Sequence, residues 1–252
     1  MSTSQEQFNR QASHYDQQWA DWNRESLRWM LDHAGCRETD RVLDVATGAG
    51  FTATGFAPHV ASVVGLDVSE GMLAEARRRA PSNVTFEHGP AEKMPFADGV
   101  FDIVLCRIAA HHFVSVPAFL AEAHRVLNAS GRLLIADTIV PDGEPALDAW
   151  QNRVELLRDP SHQRNLSPAE WRRLVEQAGF TITASSNEGG PIGITMEDWF
   201  KKSGCTGANA DEVRRMFKQA DAKTKAAFAI QDLEGGDVGF SWQRIVLAAV
   251  KA

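Results

Sequence analysis

Residues 42–50 read Val-Leu-Asp-Val-Ala-Thr-Gly-Ala-Gly, and the next apolar run, residues 61–66, ends at Asp67. This pattern predicts a buried strand, a tight glycine turn, and an acid at the tip of a second strand. Glycine at positions 48 and 50 lets the backbone approach a ligand where a Cβ atom would clash. An acid in the position of Asp67 can accept hydrogen bonds from both hydroxyls of a ribose. The stretch therefore predicts a nucleoside-binding edge in an α/β protein.

Asp44 separates two interpretations of this edge. Gly48, Gly50 and Ala53 also fit the looser dinucleotide fingerprint, in which a pyrophosphate rests on the N-terminus of the following helix. A carboxylate at the end of the first strand would repel a pyrophosphate, but it suits a ligand with a free amino group and a sulfonium. S-adenosylmethionine carries both groups and is the predicted cofactor. The alternative is that Asp44 only caps the glycine turn by accepting from its backbone N–H groups.

Size and composition favour one globular α/β domain. A chain of 252 residues with 44% hydrophobic content can bury one substantial core. Its apolar runs are too short for a membrane span, and its polar N-terminus lacks the apolar segment of a secretory signal, so we expect a cytoplasmic protein. The net charge of −7 argues against nucleic acid as a partner. Cys36, Cys106 and Cys205 are too scattered for a disulfide frame or a zinc site, and no metal is expected.

Strand-like and helix-like segments alternate through residues 41–140, which predicts a parallel sheet with helices on both faces. Beyond it, Ser167-Pro168-Ala169-Glu170 is a helix-capping signature, and Gly179 ends that helix. The predicted strands are 41–46, 61–67, 84–87, 101–107, 132–138, 180–186 and 244–251. The other predicted helices are one or two within 5–31, one over 70–80, one around 119–127, one over about 147–157, and two within 195–230, the first capped by Thr195.

The N-terminal segment is rich in aromatic residues. They are Phe8, Tyr15, Trp19, Trp22 and Trp29. Such a segment could form a lid over the binding edge, and an ordinary packing helix is the alternative. The chain is accordingly divided into an N-terminal helical lid (1–35), a cofactor-binding core (36–140), and substrate-covering helices with the last two strands (141–252).

Further motifs carry a family resemblance over most of residues 5–140. They are Phe8–Asp16, Leu43–Gly50, Leu66–Ser69 with Met72, Ala91–Phe96, Phe101-Asp102, Ala110–Phe113, Arg125–Leu127 and Gly131–Leu134. In this order they resemble class I S-adenosylmethionine-dependent methyltransferases, in particular the ubiquinone/menaquinone-biosynthesis C-methyltransferase branch. The later run Arg158–His162 is similar to a bacterial subgroup of small-molecule methyltransferases. The resemblance implies a Rossmann-like, seven-stranded, mostly parallel sheet with an antiparallel last strand and a helical cover. It also implies methyl transfer to a small-molecule acceptor.

The resemblance implies a cofactor site as well. The residues expected at the methionine part are Asp44, Ala46, Gly48 and Gly50, and those at the ribose and adenine are Asp67, Val68, Met72, Ala91 and Glu92. The residues expected beside the amino-acid end and the methyl group are Arg107, Ile108 and Ala109, with His112 and Tyr15 completing the site. Two positions depart from the family pattern. Ala46 replaces the first glycine of the usual triple, and Pro90 replaces an acid that binds the adenine amino group in many relatives.

Methyl transfer is an in-line displacement that requires alignment, exclusion of water and, for some acceptors, removal of one proton. His111 follows the fourth strand, at the edge where ligands bind, and an imidazole titrates near neutrality, so His111 is the candidate general base or substrate-orienting group. Arg107 is the second catalytic candidate. The alternative is that one of His111 and His112 packs beneath the cofactor while the other binds backbone.

Acceptor recognition is assigned to the expected cover. Arg158, His162 and Trp19, together with His111, are the candidate acceptor-binding residues, and an arginine beside a histidine hints at an anionic or phenolate-like acceptor. A lining by Trp19, Trp22 and Trp150 would favour a planar or apolar acceptor, such as a quinone-like or aromatic compound, and core packing is the alternative. Two other functions stay open here: a nicotinamide-dependent oxidoreductase using the same edge, and a non-catalytic cofactor-binding module.

Overall fold

A seven-stranded sheet forms the centre of the protein. The computed structural model describes residues 4–11, 24–188 and 194–252. The spatial order of the strands is β3-β2-β1-β4-β5-β10-β6. Their bounds are β1 Arg41–Val45, β2 Ser62–Asp67, β3 Val84–His88, β4 Phe101–Arg107, β5 Leu127–Ile139, β6 Phe180–Glu188 and β10 Gln243–Lys251.

All pairings among β1 to β5 are parallel, and β10 runs antiparallel to both of its neighbours, β5 and β6. The central strands read as continuous apolar runs because helices bury both of their faces; Val42, Leu43 and Val45 of β1 are all fully buried. The predicted fold class, a Rossmann-like sheet with an antiparallel last strand, is confirmed.

The strand order reverses at β1, which pairs with β2 on one side and β4 on the other. Asp44 lies opposite Gly65 of β2 and Leu105 of β4, so the ends of the three strands are aligned. Loops that leave neighbouring strands in opposite directions open a crevice at this point of an α/β sheet. The glycine turn after β1 therefore faces the crevice that the topology creates.

Helices cover the sheet and extend beyond it. They are α1 Ser4–Gln11, α2 Arg24–Ala34, α3 Phe51–Phe56, α4 Glu70–Arg79, α5 Val116–Val126, α6 Pro145–Arg158, α7 Pro168–Gln177, α8 Met196–Ser203, α9 Gly207–Lys218 and α10 Ala222–Ala227. The expected capping box is present, with the Ser167 and Glu170 side chains each accepting a backbone N–H of the other residue. The hydroxyl of Thr195 accepts the N–H of Asp198 at the start of α8, as expected.

The segment after Ile194 departs from the prediction. It holds α8, α9 and α10 instead of two helices, and a three-stranded sheet of β7 (Ile194–Thr195), β9 (Val238–Phe240) and β8 (Gln231–Asp232). Strands of two or three residues are too short to show an alternating pattern, which explains why the sequence did not reveal them. Leu127, predicted on the face of α5, instead begins β5, where it pairs with Phe101.

An apolar cluster holds the cover together separately from the two clusters that flank the main sheet. Trp150 belongs to this cluster and stacks on Phe228 with ring centroids 5.3 Å apart. Trp150 therefore packs, partly buried, against the core of the cover, as the alternative interpretation had it, and it is not among the residues that line the main cavity described below. In the described ranges, none of the helices has the length and apolar character needed to cross a bilayer.

The N-terminal region divides into two described helices with different surroundings. Met30 and Ala34 of α2 are fully buried against the sheet, so α2 is a packing helix. Phe8 of α1 instead lies against His112, with ring centroids 4.9 Å apart. Tyr15, Trp19 and Trp22 lie outside the described residues.

Candidate functional site

A cavity of about 330 Å³ opens where β1, β2 and β4 end. Its volume is in the range of small-molecule sites. Of the predicted cofactor residues, those that line it are Ala46, Gly48, Asp67, Val68, Met72, Ala91, Glu92, Arg107, Ala109 and His112. Ile108, also expected there, lines the cavity as well, and lining residues that were not expected in the cofactor site include Gln5, Phe8, Thr47, Phe51, Thr52, Phe113 and Val114. We call this space the cofactor cavity.

The two glycines of the turn after β1 have different roles. Both have left-handed backbones, with φ of 54° at Gly48 and 80° at Gly50. A Cβ added to Gly48 would meet no atom within 4 Å, so the backbone there is bare toward the cavity. A Cβ on Gly50 would lie 3.1 Å from the Cβ of Ala76 and 3.3 Å from the ring of Phe86. Gly50 thus permits close packing of α4 and β3; the expectation that it lines the cavity is not met.

Asp67 joins the tip of β2 to the glycine turn. Its Oδ2 accepts the N–H of Gly48 and its Oδ1 accepts the N–H of Ser69, both at 2.8 Å. The residue is 7% exposed, and burial raises the pKa of its carboxyl against the lowering effect of these N–H groups. Because each carboxylate oxygen has more than one lone pair, Asp67 can still accept hydrogen bonds from a ligand.

Asp44 lies behind the cavity wall. Its Oδ2 accepts the hydroxyl of Thr47 at 2.6 Å and the N–H of Ala53 at 3.0 Å. The residue is 1% exposed, and burial raises its pKa to about 6. This is the capping arrangement that the sequence left open, and Thr47, not Asp44, is among the lining residues. The expected direct lining by Asp44 is therefore not observed.

The wall opposite the glycine turn comes from the ends of β3 and β4. The Nε–H of Arg107 donates to the hydroxyl of Thr52 at 2.8 Å, which fixes the arginine across the cavity. Ile108 has a left-handed backbone with φ of 54°, and its N–H donates to the carbonyl of Ala136 at 2.7 Å. The carboxylate of Glu92 accepts the N–H of Val114 at 2.9 Å, so this side chain holds the wall together.

His111 is held by an acid at the end of β5. Its Nδ1 lies 2.5 Å from Oδ1 of Asp137, and its backbone N–H donates to Oδ2 of the same carboxylate at 3.0 Å. Burial lowers the pKa of His111, but the charge of Asp137 and this hydrogen bond outweigh burial, so the pKa is raised. Sequence reasoning missed Asp137. An acid that ends the apolar run 133–136 at the ligand-binding edge was the available signal.

Three histidines meet beside this acid. The ring of His111 lies 4.2 Å from that of His112 and 5.8 Å from that of His162. Burial and the neighbouring His111 lower the pKa of His112 to about 3 and that of His162 to about 2. These two rings are therefore neutral at pH 7. We call the group formed by His111, His112, His162 and Asp137 the histidine cluster. Across the described ranges, no group of three or more His, Cys, Asp or Glu is arranged to hold a metal ion.

The segment after α6 is attached to this cluster. The N–H groups of Gln163 and Arg164 donate to the carbonyl of His111, at 2.9 and 3.1 Å. The hydroxyl of Ser161 lies 3.0 Å from Nδ1 of His112 and donates to Asp159 at 2.6 Å. The segment after α6 therefore lies against the two histidines that follow β4.

The predicted acceptor residues do not form one group. His162 joins His111 in the histidine cluster, and its Nε2 lies 2.9 Å from Oδ1 of Asn152. Arg158 lines a second cavity instead of the cofactor cavity. Its guanidinium lies 3.6 Å from the carboxylate of Glu155 and 4.9 Å from the centre of the Trp199 ring. Trp19 is outside the described residues.

The cavity fits the predicted cofactor. Bare backbone at Gly48, an acid at Asp67 and apolar side chains from Val68 and Met72 suit an adenosyl group. The sheet order and this cavity at its switch point together define a class I S-adenosylmethionine-dependent methyltransferase.

Comparison with known proteins agrees with this class. A family model described as a methyltransferase domain matches residues 43–135. The uncharacterized methyltransferase YcgJ of Bacillus subtilis (strain 168) is 32% identical over an alignment 256 positions long that covers 99% of each chain. The chain belongs to this methyltransferase family. The enzyme's cofactor is S-adenosylmethionine, and these relatives do not favour the oxidoreductase alternative.

Solved structures and a shorter match add detail. The crystal structure of YcgJ superimposes with a TM-score of 0.83 over 90% of this chain and 98% of that one. A putative methyltransferase from Bacillus halodurans C-125, 35% identical, has a TM-score of 0.84 over 89% of this chain and 98% of its own. A demethylmenaquinone methyltransferase from Beutenbergia cavernae is 39% identical over 118 residues, which are 47% of this chain and 49% of that protein.

Proposed function

We propose that the protein methylates a small-molecule acceptor held beside the histidine cluster, with His111 as general base and Asp137 as its positioning residue. The observation that carries this proposal is the 2.5 Å contact between Nδ1 of His111 and Asp137, next to the cofactor cavity. When bound, S-adenosylmethionine supplies a methyl group activated by a positive sulfur.

The proposed cofactor-binding roles are supported by the contacts of the cavity. Asp67 is proposed to hold the ribose hydroxyls, because it lines the cavity and keeps free lone pairs. Val68 and Met72 offer the adenine an apolar surface, and the bare backbone at Gly48 lies against the methionine part. Asp44, which lies behind Thr47, is proposed to stabilise the positively charged amino group of the cofactor electrostatically, without direct contact.

The contact with Asp137 defines which nitrogen of His111 can react. A carboxylate accepts hydrogen bonds, so the proton of neutral His111 resides on Nδ1 and Nε2 has the lone pair. Nε2 would then take the proton that the acceptor loses. Asp137, itself buried, favours the imidazolium that forms. Arg107, held by Thr52 on the cavity wall, is proposed to orient the acceptor near the methyl group.

A quinone-like or aromatic compound is one candidate acceptor, and the partial match to a demethylmenaquinone methyltransferase favours it. The packing of Trp150 against the apolar cluster of the cover removes one argument for such an acceptor. The polar histidine cluster instead favours an acceptor with hydrogen-bonding groups near the methylated atom.

Calorimetry and a transfer assay test the proposal. We expect S-adenosylhomocysteine to bind in the micromolar range and NAD not to bind, and labelled methyl from S-adenosylmethionine to appear in a compound of a cell extract. His111→Gln should lower turnover about 100-fold or more while the affinity for S-adenosylhomocysteine stays within twofold. His59→Gln, an exposed histidine on the same chain, is the matched control.

Each failure has a separate meaning. Binding without methyl transfer to any compound would support a non-catalytic module. An equal loss of turnover and cofactor affinity in His111→Gln would show that His111 has only a structural role.

A further inference from the structure

A second cavity, of about 370 Å³, lies between the end of α6, the α8–α9 junction and α1. Among its lining residues are Gln7, Arg158, Lys201, Lys202, Thr206 and Asn209. Of the described residues that line it, three are cationic and none is acidic. The carboxylate of Glu155, 3.6 Å from the Arg158 guanidinium, offsets one of the three charges, so the wall stays net positive and favours an anionic ligand.

Arg158 provides a built contact in this wall. The residue is 9% exposed, and among the described residues its Nε–H has no hydrogen-bond partner. A buried donor without a partner is unfavourable, so such a group points to a ligand or an ordered water. A guanidinium presents its donors in the planar fork that matches a phosphate or carboxylate.

The N-terminus of α9 opens into the same cavity. This helix has 12 residues, its N-cap is Thr206, and the described structure shows neither a side-chain capping bond nor an acid in its first turn. Thr206 and Asn209 both line the cavity. The first N–H groups of a helix and its dipole favour an anion at this end.

Two shared walls connect this cavity to the cofactor cavity. In α1, Gln7 lines the second cavity and donates to the carbonyl of Ser203 at 3.0 Å, while the next residue, Phe8, lines the first. At the end of α6, Arg158 lines the second cavity, and Ser161 in the segment that follows contacts His112 of the first. A molecule methylated beside the histidine cluster could therefore extend toward Arg158.

We propose that the second cavity binds an oxyanion, a phosphate or carboxylate group, and that this group is part of the methyl acceptor. The second half of the proposal rests on the proposed function, whereas the first half does not.

Titration of inorganic phosphate and of pyrophosphate into the protein saturated with S-adenosylhomocysteine tests the anion site. We expect saturable binding, and Arg158→Gln should weaken it about tenfold or more, since a charge-assisted contact is lost. Arg153→Gln, an exposed residue of the same helix, should bind as the unaltered protein does. Absence of binding, or equal binding by Arg158→Gln, would overturn the site.

Asn209→Asp separates the anion site from a folding defect. An acid in the first turn of α9 suits the helix dipole, so the melting temperature should stay equal or rise. The same carboxylate at the cavity wall should repel phosphate and weaken its binding about tenfold. Unchanged phosphate affinity in this variant would also overturn the site.

The labelled product of the transfer assay tests the acceptor half. We expect it to bind an anion exchanger, and pyrophosphate should raise the apparent KM for the acceptor without lowering kcat. Release from the exchanger after phosphatase treatment would assign a phosphate, and retention would assign a carboxylate. A neutral product would overturn the proposal that the anion is part of the methyl acceptor, and the second cavity would then bind an anion separate from the acceptor. Failure of S-adenosylhomocysteine binding or of methyl transfer would instead count against the proposed function.

Discussion

The cofactor cavity and the histidine cluster are built in opposite ways. Most of the cavity is lined by residues that directly follow β1, β2, β3 and β4, and the backbone N–H of Gly48 donates to Asp67 within this wall. The histidine cluster is made from side chains far apart in sequence, with Asp137 on β5 and His162 after α6. A site made by backbone at strand ends leaves a contiguous motif, whereas a site made by converging side chains does not.

The two regions also differ in how well their polar groups are satisfied. Both carboxylate oxygens of Asp67 accept backbone N–H groups. On α6 and the segment that follows it, the side-chain amides of Gln151 and Asn165 and the Nδ1 of His162 are buried and have no partner among the described residues. Each such group costs roughly 1–3 kcal/mol, and acceptor binding would offset part of that cost. We therefore expect the two regions to respond differently to substitution.

The largest expected effect is on turnover. Asp137→Asn should lower kcat by about 10² to 10⁴, since His111 loses the group that orients it and raises its pKa. His111 is active as a base when neutral, so kcat should fall as pH drops below its raised pKa. Without the charge of Asp137 that pKa falls, and the acidic limb of the pH profile should move to lower pH. Steady-state kinetics across pH measures both effects.

The exposed Asp32→Asn is the control for Asp137→Asn. An acidic limb that stays in place in Asp137→Asn would contradict the role of His111 as the titrating base.

The next effect is on cofactor affinity. Asp67→Ala should weaken S-adenosylhomocysteine binding by roughly 1.5–3 kcal/mol, because the ribose hydroxyls lose a charged partner. Calorimetry measures this loss, with Asp67→Asn as the variant that keeps the shape but not the charge. Affinity equal to that of the unaltered protein would show that Asp67 only anchors the turn.

The third effect is on stability and separates the histidine cluster from the cavity. His112 and His162 have folded-state pKa values of about 3 and about 2, below the ordinary value near 6.5. Below pH 6.5 the unfolded chain binds protons that the folded chain cannot, so stability present above that pH is lost as pH falls. The loss should be about 1.4 kcal/mol per pH unit for each of the two histidines.

Urea unfolding at pH 7, 6 and 5 measures this slope. His162→Gln should reduce it by about half, and the exposed His59→Gln should leave it unchanged. A slope unaffected by His162→Gln would mean that the buried ring is not neutral in the folded protein.

The smallest expected effect distinguishes the two glycines of the turn. An alanine at either position should lower the free energy of unfolding by about 1–2 kcal/mol, because the backbone there is left-handed. Gly50→Ala should lose more stability, because its Cβ meets Ala76 and Phe86, while Gly48→Ala should lose more cofactor affinity. Thermal melts and calorimetry measure the pair. Gly143→Ala is the control for the cost of the left-handed backbone alone, since Gly143 has a φ of 69° and open space around it. A larger stability loss in Gly48→Ala, or a larger affinity loss in Gly50→Ala, would contradict the roles given to the two glycines.

The main sheet and its caps were predictable because their signals are local. The apolar runs of β1, β2 and β4 agree with the predicted strands to within a residue, and Ser167 caps α7 through a box visible in four consecutive residues. The small sheet of β7, β8 and β9 was not predictable, since its strands are too short for a periodic pattern. The part of the candidate site that contains Gly48 and Asp67 was predictable for the same reason, since both residues belong to one strand-turn-strand pattern.

By itself, the sequence determined the main strands, the glycine turn and the acid at the tip of β2, because apolar patterns and backbone preferences within short segments specify them. Only the tertiary structure decided that Gly50 serves packing, that Asp44 bonds the turn from behind, and that Asp137 meets His111. Those outcomes depend on the distances between segments that are far apart in the sequence. These distances are set only when the apolar faces of the segments pack together.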